Sequence, residues 1–396
     1  MTAYILFGLF ALTLLGIATL HKYALPIALG GLAAVLVARL AITDFHLIAH
    51  LHHEWQGLLN LGGLLLGFAV LANHFERSHL PDKLTQVLPG NLLGVFLLLA
   101  LVWVLSAVLD NIAAALIGGT AARALFKGNV HIGYLAAIVA ASNAGGAGSV
   151  VGDTTTTMIW LDGVSPFDVM EAALGAFVAL AFFGGFAARQ QYTLQPIVKQ
   201  QGTAVHVDSM QLLIVGLILV GAIGANLLFG FPAAGVWGAI VLGALLRRPD
   251  WSVLPGAAKG MVFLLSLVLS ASMMPVEELP AASPATAFGL GIVSSFFDNI
   301  PLTKLALAQG GYDWGYLAYC VGFGGSMLWF GSSAGVALSG MYPQAKSAGA
   351  WLKGGWHVAV GYVLGFVAMI LILGWHPHAP HKAGADTRPA AERTNH

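Results

Sequence analysis

The sequence predicts an all-α integral membrane protein, a polytopic helical bundle of two inverted repeats with broken helices and re-entrant hairpins. Three observations predict it. Hydrophobic residues make up 58% of the 396 positions, mean hydropathy is +0.82 and only 9% of residues are charged, against about 25% in soluble domains. Polar, glycine-dense stretches interrupt the apolar runs instead of lying between them. The motifs in those stretches also recur in order in the second half of the chain.

Each span follows from the length of its apolar run, since about 20 such residues cross a bilayer. The runs Tyr4 to Leu20 and Tyr23 to Ile42 open the chain, and Gly57 to Ala72, Asn91 to Leu109, Phe167 to Ala188, Leu212 to Phe229 and Leu352 to Gly374 are of comparable character. The N-terminal run lacks a basic leader and reads as a retained first helix. Residues 1–56 form an N-terminal unit with a histidine-bearing loop, 57–188 a first repeat and 210–374 a second. The hydrophilic stretch 189–209 joins the repeats, and 375–396 is a polar, proline-bearing tail that reads as disordered. Ser165 and Pro166 form a helix start, a capping serine followed by proline at the first helical position. Lysine and arginine in the first and third loops, Lys22, Arg77 and Lys83, place those loops in the cytoplasm and the N-terminus outside.

The repeat rests on two motif pairs. Ser106-x3-Asp110-Asn111-Ile112 is matched by Ser294-x3-Asp298-Asn299-Ile300, and Gly145-Gly146 with Gly152 is matched by Gly324-Gly325 with Gly331. Paired interruptions in corresponding halves mark a transporter site near the bilayer midplane. Ser142 to Trp160, SNAGGAGSVVGDTTTTMIW, is the richest of them. Its glycines permit close, non-helical chain, and irregular backbone at membrane depth survives only where protein or a watery cavity covers it.

Within these motifs Asp110, Asp153 and Asp298 stand out, because a carboxylate in the membrane costs about 2.5 kcal/mol or more and so carries a functional presumption. The plainer alternative puts each at a water interface or pairs it with Arg123 or Lys304. Asn111, Asn143 and Asn299 offer amide oxygens to an ion or caps to a half-helix. Thr155 and Thr156 either join them or bond back to the helix carbonyls. Where Asp153 follows Gly152, Ser332 follows Gly331, so the two halves are asymmetric. Oxygen ligands of this kind suit a hard cation, and burial disfavours the charged carboxylate, which lets a proton compete for it.

Other chemistry is poorly supported. Equal numbers of acidic and basic residues give no net charge, and nucleic acid is not an expected partner. Cys320 alone provides neither disulfide nor sulfur-based metal site. The GGAGSVVG glycines lack the GK[ST] of a phosphate loop. His46, His50 and His53, with His52 and Glu54, have a spacing that could serve zinc or pH sensing, but an interfacial amphipathic segment explains them more simply, and no zinc site or other cofactor is expected. No HExxH or Ser/His/Asp set suggests an enzyme.

SNAGGAGSVVGDTTTTMIW, the two DN motifs and CVGFGGSMLWFGSSAGVAL together resemble the NhaD-type sodium/proton antiporters of the ion transporter superfamily, which also holds arsenite permeases and citrate or dicarboxylate carriers. The resemblance covers roughly 57–375. It implies a multi-pass protein of the bacterial inner membrane, a homodimer in the lipid bilayer moving by an elevator-like shift and exchanging Na+ or Li+ for H+. It carries functional roles to Asp110, Asn111, Asn143, Asp153, Thr155, Thr156, Ser294, Asp298 and Asn299. The division of labour expected on these residues places the cation on Asp153, Thr155, Thr156, Asn143 and Asn111. Asp110, Asp298, Asn299 and Ser294 then relay the proton, with Ser294 hydrogen-bonded to the Asp298 carboxyl one helical turn away. The competing expectation is a coupled carrier of citrate, another carboxylate or arsenite, seated on half-helix N-termini.

Overall fold

The computed structural model describes residues 2–20, 23–198 and 205–378. Lys22, the middle of the inter-repeat segment and most of the tail fall outside the described residues. Every regular element among them is helical. In chain order these are α1 (Thr2–Thr19), α2 (Ala24–Ile42), α3 (Leu47–Arg77), α4 (Leu80–Gln86), α5 (Leu92–Ser106), α6 (Asn111–Leu125), α7 (Ile132–Ala147), α8 (Thr154–Leu161), α9 (Pro166–Met170) and α10 (Ala172–Leu194). The second half holds α11 (Ser209–Phe229), α12 (Pro232–Gly243), α13 (Leu254–Ser272), α14 (Pro284–Ser294), α15 (Asn299–Gln309) and α16 (Trp314–Leu317). A π-helical turn, Ala318–Phe323, follows, then α17 (Ser333–Met341), α18 (Ala348–Gly354) and α19 (Trp356–Ile372). Among the described residues six helices are long and apolar enough to cross a membrane, or seven if α18 and α19, bent by 60°, form one broken span. The chain is a polytopic helical membrane protein.

Several boundaries differ from those read in the sequence. The histidine-bearing segment is not a loop: His50, His52, His53 and Glu54 lie inside the 31-residue α3, because no glycine or proline interrupts Leu47 to Trp55. Likewise α10 runs on to Leu194, six residues into the polar linker, where Gln191 is buried and donates to the Asn129 and Gln195 carbonyls. Buried polar partners hold a helix that hydropathy alone would end. Ser165 does cap α9, accepting from Phe167 N at 3.2 Å with Pro166 in the first turn.

Helices approach closely where glycines face one another, the usual device when lipid supplies no hydrophobic drive between helices. A Cβ on Gly235 of α12 would stand 1.8 Å from the Gly221 carbonyl oxygen of α11. Between α10 and α19 the Tyr319 hydroxyl sits against Gly365 and donates to the Tyr362 carbonyl at 2.8 Å. The α1–α2 hairpin packs through Leu6, Phe10, Ala28 and Val35 onto Leu267 and Ala271 of α13 and Leu305 of α15. Lys304 of α15 pairs with Glu54 of α3 at 2.8 Å.

The two halves use the same contacts. Ser106 Oγ donates to the Ser142 carbonyl at 2.5 Å, and Ser294 Oγ to the Val321 carbonyl at 2.8 Å. A Cβ on Gly145 would lie 2.0 Å from Trp103 O, and one on Gly324 would lie 2.1 Å from Gly291 O. Gly146 abuts the Gly152 carbonyl as Gly325 abuts that of Gly331. Asp110 caps α6 through Ile112 N at 2.8 Å, and Asp298 caps α15 through Ile300 N at 3.2 Å. The duplicated motifs are therefore duplicated structure.

Candidate functional site

In each half a helix stops at the DN motif and restarts on its asparagine, so α6 begins at Asn111 and α15 at Asn299. Between α7 and α8 the break is short. Ser142 to Ala147 is helical, and only residues 148–153 are not. Gly145 and Gly146 are therefore not loop glycines; they let α7 touch the α5 backbone and the turn that ends in Asp153. Asp153 starts α8 as its cap, accepting from Thr155 N at 3.4 Å.

Three helix N-termini thus converge on one carboxylate. Asp153 is 3% exposed. Asn111 Nδ2 donates to its Oδ1 at 3.4 Å, and Asn299 Nδ2 donates to Oδ1 at 3.4 Å and Oδ2 at 3.2 Å. Asn111 Nδ2 also donates to Asn143 Oδ1 at 3.1 Å, and Asn143 Nδ2 to Ser326 Oγ at 3.0 Å. The N-terminal partial charges of α6, α8 and α15 favour the anion. No ion pair among the described residues reaches Asp153, Asp110 or Asp298; Lys304, one of the two expected partners, is held by Glu54. Beside the carboxylate the Thr155 hydroxyl is buried with no hydrogen-bond partner. A buried hydroxyl left unmatched costs about 1–3 kcal/mol, and an oxygen-seeking cation at Asp153 would satisfy it.

The expected roles sort unevenly. Asn111, Asn143, Asp153 and Thr155 come together. Asn299, expected in the relay, instead lies on Asp153 as the counterpart of Asn111. Thr156 turns away: its hydroxyl donates to the carbonyls of Ser149 at 2.5 Å and Asp153 at 2.8 Å, bracing the turn. Ser294 does not bond Asp298, because α14 ends at Ser294 and the carboxyl lies beyond the break, where helical spacing no longer applies. Ser333 Oγ takes that place, donating to Asp298 Oδ2 at 2.9 Å. Asp110 and Asp298 are half-buried caps that make no hydrogen bond to Asp153.

Near the start of α3, His50 Nε2 meets Ser272 Oγ at 2.9 Å while His46, His52 and His53 are exposed. Among the described residues no three His, Cys, Asp or Glu side chains gather as a metal-holding group.

Sequence reasoning missed Gly322. It stands two positions before Gly324-Gly325, as Asn143 stands two before Gly145-Gly146, and a Cβ there would lie 3.2 Å from Asp153 Oδ2. The second half omits the side chain that the carboxylate of the first half displaces. Gly322→Ala should therefore crowd the carboxylate and raise the apparent KM for a transported cation by about tenfold, measured by cation titration in vesicles; an unchanged KM would show that the space is not needed.

No family model matches the sequence. Over 346 residues, 76% of this chain, it is 28% identical to Sodium/proton antiporter 1 of Arabidopsis thaliana, covering 58% of that protein. Over 285 residues, 60% of this chain, it is 29% identical to Sodium/proton antiporter 2 of the same plant, covering 67% of it. The chain thus spans less than two thirds of the first relative's length and two thirds of the second's, and it is similar in sequence to proteins named for sodium/proton antiport.

Proposed function

We infer that the protein exchanges Na+ or Li+ for H+ across a membrane by alternating access, as an antiporter of the NhaD type. One observation carries this reading: a buried carboxylate with no cationic partner, held by two asparagines from the two DN motifs, beside a hydroxyl that has no partner. Such a group is neutralised either by a cation or by a proton, and a site that takes only one at a time couples their movements in opposite directions. Asn143 and Thr155 supply oxygens, Asn111 and Asn299 hold the carboxylate through their amide N–H groups, and Asp110 and Asp298 hold the proton on its way. The repeats are inverted relative to each other, the protein is a homodimer in a bacterial inner membrane, and one repeat-bearing unit shifts against the rest. The anion-carrier alternative is disfavoured because the seat made by the converging helix N-termini already holds Asp153. The similarity to plant proteins named sodium/proton antiporters supports the same reading.

The test is transport by purified protein in proteoliposomes, with Na+, Li+, K+, citrate and arsenite compared side by side. Na+- or Li+-dependent proton flux is expected; citrate or arsenite uptake without it would overturn the reading. The threonines refine it. Thr155→Ala should raise the cation KM about tenfold, the loss of one neutral ligand. Thr156→Ala should lower the amount of folded protein by loosening the 148–153 turn, with KM nearly unchanged. Equal KM effects from both would remove the distinction.

A further inference from the structure

An open groove of about 550 Å³ lies between the N-terminus of α7 and the last turns of α10, lined by His131, Phe186, Arg189, Gln190, Thr193 and Leu194. Its floor is fixed. Gln190 Nε2 donates to the Gly354 carbonyl at 3.0 Å and Gln190 Oε1 meets His357 Nε2 at 3.2 Å, which ties the groove to the joint between α18 and α19. The His131 backbone N–H donates to Gln191 Oε1 at 2.8 Å. Two donors are left facing outwards. His131 Nδ1 accepts from Gly133 N at 3.1 Å, so the neutral ring carries its hydrogen on Nε2, and no ion pair among the described residues reaches Arg189. The N-terminal partial charge of α7 adds to the positive field at His131. Nothing of opposite sign balances it: the stretches 111–152, 172–207 and 314–375, which include α7, α10, α18 and α19, contain no aspartate or glutamate, while Lys127 and Lys353 are exposed beside the groove.

We propose that this groove binds the headgroup of an anionic phospholipid, its phosphodiester on the Arg189 guanidinium and His131 Nε2 and an acyl chain along Phe186 and Trp356. Depth supports it. Arg189 lies about 35 Å along the apolar span Pro166–Leu194 from its start, at 1.5 Å per residue, against a hydrocarbon core of about 30 Å, which sets the guanidinium at headgroup level. Beside it Phe186 and Leu194 are exposed, and Phe186 meets the exposed Trp356 edge-on with ring centroids 5.1 Å apart, an indole of the kind that marks a membrane interface. Guanidinium and phosphate match as paired donors and acceptors, and basic pockets between helix ends take phospholipid headgroups. A free phosphate would use the donors alone; only a lipid also covers the apolar side. The site stands apart from the transport reading and does not depend on it.

The experiment is native mass spectrometry of the delipidated full chain in detergent, titrated with phosphatidylglycerol and with phosphatidylcholine of identical acyl chains. Wild type should hold one phosphatidylglycerol roughly tenfold more tightly than phosphatidylcholine. Arg189→Ala should lose about tenfold in phosphatidylglycerol affinity, and Thr193→Glu, which sets a carboxylate at an exposed position of the groove, at least as much. Arg189→Lys should keep most of the affinity, and Arg247→Ala, at the salt bridge to Asp208, all of it. Equal affinity for the two lipids, or wild-type affinity in Arg189→Ala or Thr193→Glu, would overturn the proposal. So would the same loss from Arg247→Ala as from Arg189→Ala, which would show a diffuse field instead of a site. Glycerol 3-phosphate at the lipid's own concentration should not displace it; if it did, the groove would hold a water-soluble phosphate and the lipid assignment would fall.

Discussion

Asp153→Asn should abolish cation-dependent proton flux while the protein still reaches the membrane in normal amount. The substitution keeps the shape of the side chain, and asparagine caps a helix as well as aspartate does, so Thr155 N keeps its acceptor. What disappears is the charge. A unit charge about 4 Å from a monovalent cation is worth roughly 4 kcal/mol at the effective dielectric of a protein site, which corresponds to about a thousandfold in affinity. Neither Asn111 nor Asn299 can replace it, since both are neutral and already point at the carboxylate. The measurement is dissipation of a pH gradient in everted vesicles on addition of Na+ or Li+, with membrane protein quantified in parallel. Flux at the wild-type level would remove Asp153 from the site.

Gly152→Ala acts on the scaffold and not on the chemistry. Its Cβ would be placed 1.9 Å from the Ser106 carbonyl oxygen, a backbone atom that no rotamer change can move. To accept the methyl, the 148–153 turn must leave the end of α5, and with it the cap that aims Asp153. Overpacking costs typically 1–3 kcal/mol where side chains can yield; against backbone the cost is about 3 kcal/mol or more, enough to deplete folded protein. Gly331→Ala should behave alike, its Cβ being 2.3 Å from the Ser295 carbonyl oxygen. Gly340→Ala is the control, a helical position with nothing within 4 Å, where membrane level and thermal stability should be unchanged. If Gly152→Ala melted with the control, the tight approach would not be a constraint.

How much of this could be read beforehand depends on the kind of signal. Apolar runs and the DN and GG-x5-G repeats are local and countable, and they located the helix breaks at Asp110 and Asp298 and the glycine contacts that follow. The Asp110 and Asp298 motifs were legible as a pair, but which member of each would face the centre was not. On both helices the aspartate turns back to its own N-terminus and the asparagine turns to Asp153, a choice made by packing and not by spacing. Thr155 and Thr156 are neighbours in an identical run; only the fold shows that the turn carbonyls claim Thr156 and leave Thr155 without a partner. Gly322 was hidden for the opposite reason, since an absent side chain has no chemistry to notice until the two halves are laid in register. Helix ends in α3 and α10 escaped because ion pairing and buried glutamine sustain helix through polar sequence.

The central claim is that one carboxylate carries either a cation or a proton. Its most direct test is proton release on cation binding, without transport: purified protein in weakly buffered detergent solution, titrated with NaCl and with choline chloride, across a range of pH. Wild type should release protons on Na+ addition in the pH range where Asp153 is partly protonated, and below that range the apparent Kd for Na+ should rise by about tenfold per pH unit as protons compete. Asp153→Asn should release none. Na+ binding to Asp153→Asn with wild-type affinity, or wild-type binding with no proton released at any pH, would contradict the account.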